Sequence, residues 1–227
     1  MKTKILCMAL LGSLCMPLWA QQVFDMTSLG VVPGKKTNMS PRVEKALDKI
    51  RRQAVSGEEV VLRFTPGVYH FYPNDAVERE YYISNHDQTN PKKVGLALEN
   101  FQNLTIEGNG AKFVFHGQML PVSLLHTSNC TLKDFSIDFA NPHIAQVEIL
   151  KNEGMTFRVA PWVVYRITKD SIFETYGEGW KLRPSSGIAF EKDTRHVVYN
   201  TSDLFYSTKG VTKVDKDVLY APQWKDK

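Results

Sequence analysis

The sequence predicts a mainly β protein built on a parallel β-helix whose first coil is capped by one α-helix. The first observation is a repeated hexamer, because NLTIEG at 103–108 and NCTLKD at 129–134 share their polar and apolar positions at an offset of 26 residues (129 − 103). The second is that another strand-like segment follows each copy. The third is a single amphipathic helix ahead of the repeats. A period of about 20 to 50 residues is typical of repeat folds, in which each unit buries its inward face against its neighbours.

Apolar residues alternate in both hexamers, which is the pattern of a strand with one inward face. Leu104 and Ile106 occupy these positions in the first copy, and Cys130 and Leu132 occupy them in the second. We therefore expect parallel strands in which Leu104 stacks near Cys130. Two matching copies make a short repeat, so an antiparallel β-sandwich with one helix remains the alternative.

A helix is predicted over residues 41–54, in the segment SPRVEKALDKIRRQA. Ser40 can cap it, Pro41 suits its first turn, and Ser56-Gly57 can end it. Apolar residues recur at helical spacing at Val43, Ala46, Leu47, Ile50 and Ala54. Laid across the first coil, such a helix would cover unpaired backbone groups. The next segment, EVVLRFTPGVYHF, predicts a strand, a turn and a second strand.

The first 20 residues have the layout of a secretory signal peptide, with Lys2 and Lys4 ahead of an apolar run that stops at Ala20. The run is shorter than a membrane span requires and is interrupted by Gly, Ser and Pro. A membrane anchor and a lipid tether at Cys15 are the alternatives. Cleavage would leave Cys130 as the one cysteine, so the mature chain needs a hydrophobic core rather than a disulfide. The full sequence has 43% hydrophobic residues, and a chain of this length can supply such a core.

Charge and ligand spacing exclude several functions. Without the signal peptide the chain has 26 basic and 24 acidic side chains, since the signal carries two Lys and no acid. The basic pairs are scattered and not interleaved with aromatic residues, so we expect no nucleic-acid partner and no membrane span. The His residues lack close ligand spacing and one Cys cannot form a zinc signature, so we expect no metal and no cofactor.

The most promising polar cluster is NHDQ at 85–88, which contains His86 and Asp87 and follows Tyr81 and Tyr82. These polar side chains can bond vicinal hydroxyl groups, and the aromatic rings can cover the apolar face of a sugar. The alternative is an ordinary turn in which Asn and Asp side chains bond backbone amides. Asp138 alternates away from the predicted core and is either a structural or a catalytic carboxylate.

The order of these segments resembles the entry to pectin-lyase-like right-handed β-helices, with Pro66-Gly67-Val68-Tyr69 in place of their PxGxY turn. More narrowly, three blocks are similar to the N-terminal part of glycoside hydrolase family 110: YYISNHDQ at 81–88, LENFQNLTIEGNGAKFVFHG at 98–117 and LKDFSIDFANP at 132–142. The resemblance extends over roughly residues 22–225. It implies a bacterial exo-acting α-1,3-galactosidase that acts, with inversion, on blood group B-like and linear glycans ending in galactose.

The resemblance also implies a domain organisation, because family members are much longer and carry a β-barrel-like insertion early in the β-helix. We expect a signal peptide at 1–20, the N-terminal part of the right-handed β-helix at 21–142, and the start of an inserted antiparallel β-barrel-like domain at 143–227, cut short by the end of the chain. The segment AQVEILKNEGMTFRVA fits a hairpin at this point.

Catalytic residues stay unknown at this stage. The resemblance implies that they lie C-terminal to this chain, and no pair of carboxylates in the chain suits glycoside hydrolysis. His86 and Asp87 are the expected substrate-binding residues. The expected location is the periplasm or the medium, the oligomeric state is open, and the chain by itself is expected to be inactive. The alternative function is a non-catalytic β-helix that binds glycans or acts as an adhesin.

Overall fold

The structure is a computed structural model, and it describes residues 21–34, 36–82, 90–152, 154–201, 204–205 and 207–223. Within these ranges the chain forms one α-helix and seventeen strands, which confirms the prediction of a mainly β protein. The predicted signal peptide, with Cys15, and the predicted site residues His86 and Asp87 lie outside the described residues. No helix in the described part is long and apolar enough to cross a membrane.

The first part of the chain contains the helix and eight strands. Their bounds are β1 Gln21–Asp25, α1 Ser40–Gln53, β2 Glu59–Arg63, β3 Val68–Phe71, β4 Val77–Arg79, β5 Lys92–Glu99, β6 Gln102–Phe115, β7 Leu120–Leu125 and β8 Ser128–Phe139.

The two hexamers lie side by side in parallel strands, as predicted. Strands β1, β2, β6 and β8 are neighbours in this order, and all pair in parallel. In the register of β6 with β8, Leu104 faces Cys130 and Ile106 faces Leu132. The antiparallel sandwich alternative is therefore wrong for the repeats. The described sheets are open, and the described residues do not form a complete right-handed coil.

Strands β2 and β3 both pair with β6, although a turn separates them. Strand β2 pairs with the first half of β6 and β3 with the second half, each in parallel. Strand β6 spans both strand-like segments expected after residue 102, and its register with β8 shifts between Glu107 and Ala111. A second sheet contains β5 and β7 in parallel, with β4 antiparallel to β5 at its edge.

Helix α1 and the parallel strands share one hydrophobic core. The predicted helix face is buried, together with Leu104 and Ile106, while Cys130 and Leu132 are partly buried against the same core. Aromatic side chains fill much of this core and meet mainly edge to face, namely Phe64, Tyr69, Phe71, Phe113 and Phe115. The prediction that the alternating apolar residues point into one core is confirmed.

The helix ends differ from those predicted. Met39 is the residue before the helix and makes no side-chain cap, while Ser40 is the first helical residue and its hydroxyl donates to the Tyr72 carbonyl at 2.8 Å. Asn38 serves the helix start instead, because its Oδ1 accepts the Ser40 N–H at 3.0 Å. The capping role predicted for Ser40 is thus wrong, since a tertiary contact takes its hydroxyl. The helix ends at Gln53, ahead of the predicted Ser-Gly stop.

The second part of the chain is antiparallel throughout the described residues. Its strands are β9 Val147–Lys151, β10 Thr156–Val159, β11 Tyr165–Ile167, β12 Phe173–Gly177, β13 Trp180–Leu182, β14 Ser186–Gly187, β15 Leu204–Phe205, β16 Thr212–Asp215 and β17 Val218–Tyr220. The sheet orders are β16-β17-β10-β9, β11-β12-β13 and β14-β15. The predicted hairpin is confirmed as β9 and β10. A second hydrophobic core, including Phe157 and Phe173, lies in this part, and its sheets do not close into a barrel.

Candidate functional site

Residues 83–89, which include His86 and Asp87, lie outside the described residues, but Tyr81 and Asn90 on either side of them are held together. The Asn90 side chain accepts the Tyr81 backbone N–H at 3.2 Å through Oδ1 and donates to the Tyr81 carbonyl at 3.0 Å through Nδ2. One amide group therefore satisfies both backbone groups of Tyr81 and brings the two ends of the segment together. We call Tyr81, Tyr82 and Asn90 the loop neck.

The Tyr81 hydroxyl fixes the loop neck to the sheet below. It donates to Glu99 Oε1 at 3.0 Å and lies 2.9 Å from the Ser123 hydroxyl. Because Tyr81 gives its proton to Glu99, the Ser123 hydroxyl is left to donate to the Tyr81 oxygen. The loop neck is thus bonded to two neighbouring strands, β5 through Glu99 and β7 through Ser123.

A charged network lies beneath this contact. Arg79 donates to both Glu99 oxygens, at 2.7 and 3.0 Å, and its Nη2 also lies 3.4 Å from Glu44 of α1. Arg51 approaches the same Glu44 at 3.7 Å and donates to the Ala97 carbonyl at 2.8 Å. These contacts bond the helix to the sheet that supports the loop neck.

The two glutamates of this network have pKa values displaced in opposite directions. Burial opposes ionisation of Glu99, but the hydrogen bonds from Arg79 and Tyr81 outweigh it and hold its pKa below the ordinary value. Burial, only partly offset by Arg51, raises the pKa of Glu44. Both carboxylates are occupied by guanidinium groups, so neither is free to act on a sugar. Their role is to position the loop neck.

The aromatic ring of Tyr82 is available to a ligand. The residue is 95% exposed, beside the segment that contains His86 and Asp87. An exposed ring next to polar side chains can cover the apolar face of a sugar while the polar groups bond its hydroxyls. Of the two neighbouring tyrosines, Tyr81 therefore supports the site and Tyr82 is accessible.

The other acidic candidates are used within the fold. Asp138 Oδ1 accepts the N–H of the following residue at 2.8 Å, which favours the structural interpretation of this side chain. Glu59 accepts hydrogen bonds from Gln21 at 2.9 Å and from the Thr105 hydroxyl at 2.7 Å, so it joins three strands. Among the described residues, no group of three or more His, Cys, Asp or Glu side chains could hold a metal ion.

Sequence reasoning missed a second polar cluster, which combines residues far apart in the chain. His70 Nδ1 lies 2.9 Å from His116 Nε2, and His116 Nδ1 lies 2.9 Å from both oxygens of Glu178. A cavity of about 630 Å³ opens beside it, lined in part by Lys36 and Tyr72. No local motif marks these residues; the parallel pairing of β3 with β6 is what brings the two histidines together.

Comparison with known proteins indicates which class of protein this chain resembles. Residues 145–227 match a family described as GLAA-B beta-barrel domain I, which agrees with the antiparallel second part. Over most of its length the chain is also similar to galactosidases, a class of glycoside hydrolase.

The relatives in question are named alpha-1,3-galactosidase B. The chain is 57% identical over 215 residues to the one from Phocaeicola vulgatus, covering 93% of this chain and 36% of the relative. It is 54% identical over 209 residues to that of Bacteroides fragilis (91% and 35%) and 47% identical over 226 residues to that of Parabacteroides distasonis (98% and 36%). The predicted resemblance is confirmed. The chain spans about a third of the length of these relatives and corresponds to their N-terminal part.

Proposed function

We propose that this chain is the N-terminal part of an exported glycoside hydrolase that removes terminal α-1,3-linked galactose from glycans, with inversion. The observation that carries the proposal is 57% identity, over 93% of the chain, to a protein named alpha-1,3-galactosidase B. A non-catalytic adhesin or glycan-binding module is not favoured, because the relatives bear the name of an enzyme.

The proposed architecture is the start of a right-handed parallel β-helix at 21–142, capped by α1, and the beginning of an inserted β-barrel-like domain at 143–227. The parallel register of β2, β6 and β8 supports the first part. The separate core of the second part and the family match from residue 145 support the insertion.

The proposed chemistry divides binding from bond cleavage. Inversion requires two carboxyl groups about 6.5 to 9.5 Å apart, with a water activated between one of them and the sugar. We place both outside this chain, because Glu99 and Glu44 are bonded to arginine. His86 and Asp87 bond the galactose hydroxyls, and the exposed Tyr82 ring covers an apolar face of the sugar.

Activity is tested with the longer protein encoded by the complete reading frame. It should release galactose from an α-1,3-linked disaccharide and not from the α-1,4-linked isomer, and proton NMR should detect β-galactose first if the anomeric centre is inverted. The 227-residue chain should release no more galactose than a tag-only control. Hydrolysis by this chain would show that the active site has been placed in the wrong part.

The binding role is tested by Asp87→Asn in the longer protein. Loss of a sugar contact worth about 1 to 3 kcal/mol should lower kcat/KM by roughly 10- to 200-fold and leave measurable turnover. Asp170→Asn is the matched control, because Asp170 is an exposed residue of the second part, away from the loop neck. Complete loss of turnover with restoration by azide would make Asp87 catalytic, and unchanged kinetics would favour the ordinary turn.

Export to the periplasm or medium rests on the pattern of residues 1–20. Sequencing the N-terminus of the protein from the native host should give Gln21 as the first residue. A mature chain that begins at Cys15 and carries lipid would establish the tether instead.

A further inference from the structure

The turn between β12 and β13 is where the second part of the chain contacts the first. We call residues 177–180 the docking turn. A β-carbon added at Gly177 would lie 2.5 Å from Asn141 Oδ1, so the backbone lies too close for a side chain there. Trp180 meets His143 edge to face, with ring centroids 5.2 Å apart. The contact is therefore tight on both sides of Glu178.

The carboxylate of Glu178 is the charged group at this contact. Besides its two approaches to His116 Nδ1, at 2.9 Å each, it accepts the Gly117 N–H at 3.3 Å. His116 itself is only 4% exposed, and the Tyr72 ring stacks on it with centroids 4.0 Å apart and planes 10° apart. Beyond His116 lies His70, at 2.9 Å. The docking turn thus places an exposed acid against the buried His116, which in turn contacts the half-buried His70.

Hydrogen-bond roles fix where the protons of this chain must be. An ionised Glu178 only accepts, so His116 must carry its proton on Nδ1. In neutral His116 the other nitrogen, Nε2, is then an acceptor, and His70 must donate to it from Nδ1. Both histidines therefore adopt the Nδ1–H tautomer, whereas free histidine favours Nε2–H.

One added proton can be taken up without breaking a contact. His116 then becomes an imidazolium that donates to Glu178 from Nδ1 and to His70 from Nε2, while His70 accepts through Nδ1 and keeps its own proton on Nε2. A second proton would place hydrogens on both facing nitrogens, which then repel each other. Only the second proton therefore opposes the contact.

We propose that Glu178 docks the antiparallel part of the chain onto the parallel part by binding the His116–His70 pair, and that this docking survives the uptake of one proton but not of two. It positions the second part on the first and does not depend on the proposed galactosidase activity. The sign of the pH effect follows from His70, whose pKa is lowered by burial, by His116 and by Lys36, and is raised only by Glu178.

A histidine with a lowered pKa in the folded state binds fewer protons than it does in the unfolded state. Its stabilising effect is therefore present above the ordinary value of 6.5 and declines as the pH falls below that value. The other groups facing the pair are Tyr72, stacked on His116, and Lys36 and Asp75, which line the adjoining cavity. Lys36 is the cation among them and disfavours a second positive charge.

The first test reads the tautomers directly. Two-bond proton–nitrogen NMR of the uniformly labelled chain at pH 7.5 should show His116 and His70 as Nδ1–H tautomers. An Nε2–H tautomer at His116 would overturn the proposal, because that nitrogen then could not accept from His70 and Nδ1 could not donate to Glu178. This measurement needs no variant.

The second test removes the acid. Glu178→Ala should move His116 to the Nε2–H form, shift the Trp180 indole resonance and speed proteolytic cleavage between residues 140 and 146 by at least about 5-fold, on the scale of 1 kcal/mol of lost contact. Glu148→Ala is the matched control, since Glu148 is also a glutamate of the second part paired with two cations, Arg158 and Lys192. It should change none of the three readouts.

The third test uses the conservative variant and pH. Glu178→Gln can still accept from His116 but lacks the charge, so the Nδ1–H tautomer of His116 should persist. In the unaltered chain the Trp180 resonance should keep its position through the first step and shift at the second. The proposal would be overturned if Glu178→Ala were cleaved at the same rate as the unaltered chain. It would also be overturned if the Trp180 resonance shifted on uptake of the first proton.

Discussion

Replacing Ile106 by Ala should be among the most costly single truncations in the parallel part. The side chain is fully buried, and in the sheet register it lies between Leu62 of β2 and Leu132 of β8. Truncation of a buried Ile costs about 2 to 5 kcal/mol, and the upper half of that range applies where the surroundings cannot collapse into the cavity. Strands held in register on both sides restrict collapse, so we expect about 3.5 to 5 kcal/mol. Ile106→Asp adds a buried unpaired charge and should prevent folding.

Urea unfolding of the chain, followed by circular dichroism, measures this cost. With a dependence of about 1 to 3 kcal/mol per molar urea, the midpoint for Ile106→Ala should fall by about 1 M or more at an unchanged slope. The control is Ile137→Ala in β8, where the same residue type is 44% exposed and should cost less than about 1 kcal/mol. An Ile106→Ala midpoint no lower than that of Ile137→Ala would refute the inward orientation and the shared core.

Three further changes test the register and the loop neck by the same urea assay. Gly108→Ala would bring a β-carbon within 2.5 Å of a backbone carbonyl of β8 and should cost about 1 to 3 kcal/mol. The control is Gly187→Ala, whose added β-carbon would meet no atom within 4 Å and should be tolerated. Equal urea midpoints for the two variants would contradict the described pairing of β6 with β8. Tyr81→Phe removes a donor to the Glu99 carboxylate and should cost about 1.5 to 3 kcal/mol; no loss would mean that the hydroxyl bond is not formed. Because the pKa of Glu99 is lowered in the folded state, ionised Glu99 stabilises the fold above the ordinary pKa of 4.5, and this stabilisation is lost as the pH falls through the pKa of the folded state. Arg79→Gln should therefore reduce the difference in unfolding free energy between pH 7 and pH 3.

The register of the repeats could be predicted because two identical patterns of turn and strand residues follow each other in the chain. Asn103 and Asn129 both adopt left-handed backbone conformations and bond each other side chain to side chain at 2.7 Å, so the turn at the start of each copy aligns the copies. The pairing of β2 with β6 could not be predicted in the same way. No copy of the hexamer occurs in β2, and strands β3, β4 and β5 lie between β2 and β6 in the chain.

The helix shows the limit of local rules. Its buried face was predictable because apolar spacing is set by helix geometry. Its first residue was not, since Ser40 satisfies the local rule for a cap but its hydroxyl bonds the Tyr72 carbonyl, and Asn38 accepts the backbone N–H in its place. Competition between a local backbone donor and a tertiary acceptor is invisible in the sequence.

The two candidate sites also differ in whether their residues are adjacent in the sequence or are brought together by the fold. The loop carrying His86 and Asp87 could be selected because its polar and aromatic residues are adjacent in the chain. The Glu178–His116–His70 chain could not, because it joins a turn of one part to two strands of the other, and each of the three residues is unremarkable among its own neighbours.

The charges around the loop neck separate binding from catalysis in this chain. A catalytic carboxylate donates a proton, accepts one from water or attacks the sugar, and each role needs an oxygen that is not held by strong donors. Glu99 has both oxygens bonded to Arg79 and one of them also to Tyr81. Such a carboxylate stays ionised and immobile, which suits the support of a binding loop and excludes acid–base work. In the proposed function the loop neck supports His86 and Asp87, while the proposed water attack requires carboxylates contributed by another part of the longer protein.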